Sequence, residues 1–300
     1  MSGAMSTNGR VPVALTVAGS DSGGGAGLQC DLHTFAAFGV HGTTAVTAVT
    51  VQNTVGVRAV HEVPPNIVAE QIAAVVEDLR PTAVKTGMLA SAPIIEAIAA
   101  AFARHGIGRD GPIPLVVDPV CASMHGNPLL RDDALAALRD LFAIATVVTP
   151  NLDEAQLLLG TRDQSAAARA LYALGPAYAL VKGGHDSGLR SRDLLYDGRD
   201  ETWLDAARIA TGNTHGSGDT LAAAITAGLA SGSDLPAAVA AGKHYVTRAV
   251  AASYPIGAGH GPVGHPPEHL HPGAFAAVAP VTGPTFEAPE ATAPTSGVPG

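Results

Sequence analysis

Short β-branched runs alternate with alanine-rich stretches of helical period along most of this 300-residue chain, and that alternation limits the fold more than any other feature. The runs fall at residues 13–17, 44–51, 57–62, 83–85, 115–117, 146–149, 179–181 and 194–196. Between or after them lie helical stretches at 28–38, 66–79, 92–104, 132–142, 166–174, 220–230 and 235–252. Strands linked in this way build a mostly parallel central sheet with helices on both faces. An α/β fold is therefore expected, a three-layer α/β/α sandwich. The 57–62 run alternates like a half-exposed strand and predicts a small side sheet or lid beside the main one.

Several predicted strands end in a glycine or polar cluster that opens a helix, at Gly19, Gly87, Asp118, Asn151 and Gly183. In open α/β sheets the ligand crevice lies at those strand ends. With 47% apolar and 14% charged residues the chain can bury one substantial core, expected to span 11–271 as a single domain. Residues 1–10 read as a flexible leader, and the Pro/Ala-rich stretch 272–300 as a disordered tail.

Partners are narrowed by charge. A formal charge of −9 and the lack of any lysine or arginine block argue against nucleic acid. No apolar run is long enough to span a bilayer, so no membrane is expected. Cys30 and Cys121 lack metal-ligand spacing, which fits a cytoplasmic setting.

The first glycine cluster, residues 18–27, follows a strand and precedes a helix. It fits neither the G-x-G-x-x-G register nor the lysine of a Walker A loop. What remains is backbone that approaches a ligand closely at Gly19, followed by Asp31, whose carboxylate is suited to an exocyclic amine or ring N–H. The plainer reading makes Asp31 an ordinary polar helix residue. Gln52 offers a donor and an acceptor to a pyrimidine edge, and Met88 a soft surface for a flat ring, though a turn and a core residue are the defaults there.

The second cluster, residues 211–220, runs from Thr211 through Thr214, Gly216, Ser217 and Gly218 to Asp219 and a helix. Amides converging at a helix N-terminus form an anion hole, with the dipole favouring negative charge. Asp219 then stands in the first turn, as a helix-terminal carboxylate or as the acceptor of an attacking hydroxyl's proton. Because a helix N-terminus lowers a carboxylate pKa, orientation rather than strong basicity is expected of it.

Asp118, Asn151 and Glu154 at adjacent strand tips supply oxygen ligands suited to a hydrated Mg²⁺, with Lys182 against a triphosphate. Asn151 and Glu154 also carry the spacing of a helix capping box, and the two duties are compatible. His125, His185 and His215 read as satisfied loop histidines without a metal.

In this order the clusters resemble the hydroxymethylpyrimidine/phosphomethylpyrimidine kinases of thiamine biosynthesis, within the ribokinase-like superfamily. The resemblance runs from about Ala14 to His265 and is carried by 18–31, 52–56, 87–89, 151–155, 182–185 and 213–220. It implies an ATP- and Mg²⁺-dependent enzyme that phosphorylates 4-amino-5-hydroxymethyl-2-methylpyrimidine and then its monophosphate. Carried over, Gly19, Asp31, Gln52 and Met88 bind the pyrimidine. Asn151, Lys182, Thr214 and Lys243 serve ATP, Asp118 and Glu154 the metal, Gly216, Ser217 and Gly218 the anion hole, and Asp219 the proton. That family often has cysteine where this chain has Asp219, whereas the wider superfamily carries aspartate there. Vitamin B6 (pyridoxal/pyridoxine) kinases share the architecture and stand as the alternative, with a non-catalytic regulator on the same fold as a third. A homodimer is compatible with the resemblance.

Overall fold

A computed structural model of the chain describes residues 11–121, 129–130, 133–184 and 188–268. The expected leader 1–10, the tail 272–300, His125 and His185 lie outside the described residues.

Strand β1 (Val13–Ser20) is an interior strand of the sheet and is almost wholly buried, as an apolar run covered on both faces must be. Helix α1 (Gly27–Ala37) leads to β2 (His41–Asn53), which pairs parallel with β1. Strand β3 (Gly56–Glu62) turns back antiparallel on β2, and α2 (Pro65–Asp78) returns the chain to β4 (Ala83–Thr86) on the other flank of β1. From there the chain steps outward through α3 (Ala92–His105), β5 (Leu115–Val117), α4 (Ala134–Ala143), β6 (Val147–Val148), α5 (Leu152–Leu159), α6 (Gln164–Tyr172) and β7 (Tyr178–Val181). The hairpin β8 (Arg190–Tyr196) and β9 (Glu201–Ala207) closes the sheet, and α7 (Ser217–Ala230) and α8 (Leu235–Ala251) follow. Strand order is β3-β2-β1-β4-β5-β6-β7-β8-β9, parallel from β2 to β7.

Pleating sends successive side chains to opposite layers. Val116 and Val147 pack with Leu221, Ile225 and Val239 of α7 and α8. Their neighbours Val117 and Val148 join Ile98, Leu138 and Phe142 on the α3–α4 side. Each fully buried branched side chain contributes roughly 1.5–3 kcal/mol, so both helical layers are held by the same strands.

The three-layer α/β/α sandwich with a mostly parallel sheet is as expected, but the side sheet is not. The 57–62 run is the antiparallel edge strand β3 of the one sheet, and its half-exposed alternation comes from that edge position. Strand β9, which the sequence reading omits, is the opposite edge. Its Glu201-Thr202-Trp203-Leu204-Asp205 stretch has no buried apolar face to betray it. The order of connections reverses between β1 and β4, and such a switch point leaves a crevice above the strand C-termini.

Candidate active site

At the end of β1 the chain turns through Asp21, whose carboxylate accepts hydrogen bonds from the backbone N–H groups of Gly23 (2.7 Å), Gly25 (3.1 Å) and Ala26 (3.0 Å). Burial pushes this carboxyl up, but the hydrogen bonds from His215 and the loop amides outweigh it and hold the pKa below the ordinary value. The same oxygen that binds Gly25 and Ala26 meets His215 Nε2 at 3.0 Å. Thus the two glycine clusters, at opposite ends of the chain, are stitched together. Gly25 has no room for a side chain either, since a Cβ there would lie 2.5 Å from the His215 ring.

Helix α7 begins at Gly216, which caps it in the left-handed region at φ +80. A Cβ on Gly216 would fall 2.0 Å from the Gly25 carbonyl oxygen, so both the conformation and the packing demand glycine. No side chain caps α7; the Ser217 N–H donates to the Thr214 carbonyl at 3.1 Å, and the N–H groups of Gly218 and Asp219 are left at the cavity end with the positive end of the helix dipole. Asp219 stands in that first turn, its side chain 16% exposed. Burial pushes its pKa up, Lys85 pulls it down, and Asp118 adds to the rise. The expected net lowering by the helix end is therefore reversed, because desolvation dominates, and basicity is available to Asp219 as well as orientation.

On the far wall Lys182 Nζ donates to Asp118 Oδ1 at 2.7 Å, and Thr149 Oγ1 donates to the same oxygen at 2.9 Å. A Cβ on Gly218 would come 3.3 Å from Lys182 Nζ and 3.7 Å from Asp118 Oδ2, so the ammonium faces the α7 loop across a gap that a side chain there would narrow. Asn151 caps α5 by accepting from the N–H groups of Asp153 and Glu154, and Glu154 Oε2 accepts from Asn151 N at 2.7 Å. The capping box read from the sequence is complete. Burial lifts the Glu154 carboxyl to about 7, against the pull of Lys182. Lys243 Nζ donates to Asp193 Oδ2 (2.8 Å) and Ser191 Oγ (3.2 Å).

These groups surround one cavity of about 670 Å³ at the C-terminal ends of β1, β4, β5, β6 and β7. Gly19, Gln52 and Met88 line one end of the set, Asp118, Asn151, Glu154, Lys182, Thr214 and Lys243 the other, and Gly216, Ser217, Gly218 and Asp219 complete it. Met88 packs against the backbone of Gly19, where a Cβ would approach its sulfur to 3.0 Å. Asp31 departs from the expectation. It is fully buried beneath the cavity, accepting from Lys85 Nζ at 2.5 Å and from Thr16 Oγ1 at 2.6 Å, so its oxygens are committed to protein partners. His215 is the satisfied loop histidine expected, and Asp21 and Lys85 are the site residues the sequence reading passed over. A single buried acid after a strand, and one lysine in an apolar strand, were the available signals.

Among the described residues no group of three or more histidine, cysteine or acidic side chains forms a metal cage. Two carboxylates on a cavity wall, Asp118 and Glu154, do suit Mg²⁺, which keeps several of its waters.

A cavity at the parallel strand ends, with an open helix N-terminus, an adjacent carboxylate and a facing lysine, defines a small-molecule kinase of the ribokinase-like class. A model of the phosphomethylpyrimidine kinase family matches residues 21–264, and the chain belongs to that family. The hydroxymethylpyrimidine/phosphomethylpyrimidine kinase of Mycobacterium tuberculosis is 56% identical over 259 residues, which cover 84% of this chain and 93% of that protein. The thiamine biosynthesis bifunctional protein ThiED of Geobacter sulfurreducens is 45% identical over 257 residues, 84% of this chain and 51% of that protein. Among solved structures, phosphomethylpyrimidine kinase from Clostridium difficile matches with a TM-score of 0.69 and 38% identity, covering 80% of this chain and all of that one (100%). Pyridoxal kinase from Staphylococcus aureus, in complex with AMP-PCP and pyridoxal, matches with a TM-score of 0.77 and 32% identity, covering 86% and 95%.

Proposed function

We propose that this enzyme moves the γ-phosphoryl group of ATP onto the hydroxymethyl oxygen of 4-amino-5-hydroxymethyl-2-methylpyrimidine, and then onto the resulting monophosphate, in thiamine biosynthesis. The observation that carries the reading is the single cavity in which the Gly19–Met88 wall, the N-terminus of α7 and Asp219 converge. The ring lies by Met88 and Gly19, with Gln52 at its polar edge. Asp219 accepts the hydroxyl proton as the oxygen attacks, and the Gly216-Ser217-Gly218 turn, whose Ser217 N–H is held by Thr214, presents the N-terminus of α7 to the charge of the migrating group. The hydrogen bonds that tie the two glycine loops through Asp21 and His215 limit the reorganisation that transfer requires.

ATP is placed along Asn151, Lys182, Thr214 and Lys243, with Lys182 against the phosphates. Asp118 and Glu154 would hold Mg²⁺, which supplies charge neutralisation on the phosphate oxygens. Asp31 is reassigned from ring recognition to support of the wall beneath it. The kinase domain is assigned to 11–271. Buried, unpaired Cys30 and Cys121 support a reducing, cytoplasmic setting. Exposed Val49 and Val51 on β2 support pairing of two copies as a homodimer, which sedimentation of the full chain would test.

Coupled ATP-consumption assays with the pyrimidine alcohol, its monophosphate and pyridoxal test the assignment. Turnover of both pyrimidines is expected. Robust turnover of pyridoxal with none on either pyrimidine would reverse the substrate reading.

A further inference from the structure

Strand β4 reads Ala83-Val84-Lys85-Thr86, and all four side chains are buried. A lysine in such a position has given up its water and needs a reason to be there. Its Nζ lies 2.5 Å from Asp31 Oδ1 and 3.9 Å from Asp219 Oδ1. Asp31 is itself pinned by Thr16 on β1, at 2.6 Å.

We propose that Lys85 is a positioning residue for phosphoryl transfer: its buried ammonium, anchored by Asp31 and Thr16, keeps the Asp219 carboxylate ionised and aimed at the incoming hydroxyl. The inference rests on the reading of Asp219 as proton acceptor and adds to it the charge that makes acceptance possible in a desolvated site. An Asp31–Lys85 pair alone would be neutral and would serve packing only. Here one ammonium stands between two carboxylates, so it is shared.

Two further observations point the same way. Gly87 lies beside both groups, and a Cβ there would stand 3.7 Å from Lys85 Nζ and 3.9 Å from Asp219 Oδ1, so no side chain separates them. Among the described residues Lys85 is also the one cationic side chain within ion-pair distance of Asp219, Lys182 being committed to Asp118 at 2.7 Å. Asp219 is faced by Lys85 from β4, Asp31 and Cys30 from α1, Asp118 after β5, Glu154 from α5, Lys182 after β7 and His215 ahead of α7. Burial alone would lower the Lys85 pKa, but Asp31, then Asp219 and Asp118, hold it above the ordinary lysine value. Asp31 is raised by burial to about 6, against Lys85, so the pair is charged at neutral pH.

The pH profile of kcat in the full-length enzyme separates this role from packing. In Lys85→Met/Asp31→Asn, which removes both charges together, the acid limb is expected to move up by about one unit, the scale of a lost opposite charge at this range. KM for ATP should stay within about twofold, since neither residue touches that end of the cavity. In Asp31→Asn alone, Lys85 loses its anchor and turns to Asp219, and the limb moves down. Loosened packing would not displace the two variants in opposite directions. If both fold, by circular dichroism, and keep the wild-type limb, the proposal is wrong. Should the double variant fail to fold, Asp31→Asn decides alone, and a limb that stays or rises overturns the idea. An Asp219→Asn control keeps the two levels apart. Wild-type turnover there removes the proton-acceptor reading and this inference with it, whereas an inactive control beside unmoved Lys85 profiles removes this inference only.

Discussion

Asp21 and His215 meet at 3.0 Å, and through that contact the loop after the first strand and the loop before α7 become one wall of the cavity. Neither residue belongs to the anion hole, yet His215 directly precedes it and Asp21 fixes the loop packed against it. Asp21 holds three backbone N–H groups of its own loop, and His215 precedes the Gly216 cap.

Removing that link should cost both stability and alignment. Asp21→Ala leaves three loop amides without their charged acceptor and is expected to destabilise the protein by roughly 2–3 kcal/mol. KM for the pyrimidine alcohol should rise with kcat falling. Urea denaturation and steady-state kinetics on one preparation check both, and a variant with wild-type stability would show that the loops hold each other by other means.

Gly216→Ala places a Cβ 2.0 Å from the Gly25 carbonyl oxygen at a φ of +80. The loop must open, and the α7 amides lose their convergence. We expect kcat to drop on the order of a hundredfold or more, the scale of losing an anion-hole donor, with far-ultraviolet dichroism unchanged.

Asn151→Ala removes the acceptor of the Asp153 and Glu154 N–H groups and so loosens the first turn of α5, while the backbone N–H of residue 151 still donates to Glu154 Oε2. A loss of about 1–2 kcal/mol is expected by thermal or urea unfolding, together with a raised KM for ATP. Asn151→Asp should recover the stability, since aspartate caps equally well, while setting a further negative charge at the nucleotide wall.

Glu154 sets a pH dependence whose sign is fixed by its environment. Its folded-state carboxyl is at about 7, against an ordinary 4.5, so the folded protein binds the proton more tightly than the unfolded chain. The stability it contributes is present below 4.5 and is lost as pH rises through about 7. Asp31, raised to about 6, acts in the same direction. In chelator, the free energy of unfolding should therefore decline less steeply over this window in Glu154→Gln, which keeps a capping acceptor but cannot ionise. An identical slope in both proteins would exclude Glu154 as a source.

Much of this site was readable in the sequence because its parts are local. The Gly216–Asp219 cap, the Asn151–Glu154 box and the strand-end Asp118 each lie within a few residues, where turn and capping chemistry leave a mark. Asp31 stood out in the sequence as a ligand contact, but its pairing with Lys85 did not, since that pairing depends on β1 and β4 being neighbours across a switch point that sequence spacing does not record. A carboxylate four residues into a helix looks the same whether it faces a ligand or a buried ammonium. Strand β9 escaped for a related reason. At the sheet edge it buries no apolar face, and only the Asp197-Gly198 turn, with Gly198 at φ +97 and Asp197 accepting from Arg199 N and Asp200 N, announced a hairpin.

Whether Asp219 receives the proton at the head of α7 is tested most directly by Asp219→Asn, comparing calorimetric ATP binding with single-turnover phosphorylation of the pyrimidine alcohol. ATP affinity within about twofold of wild type, with turnover lowered at least about a hundredfold, is the predicted result. Undiminished turnover in that variant would contradict the account.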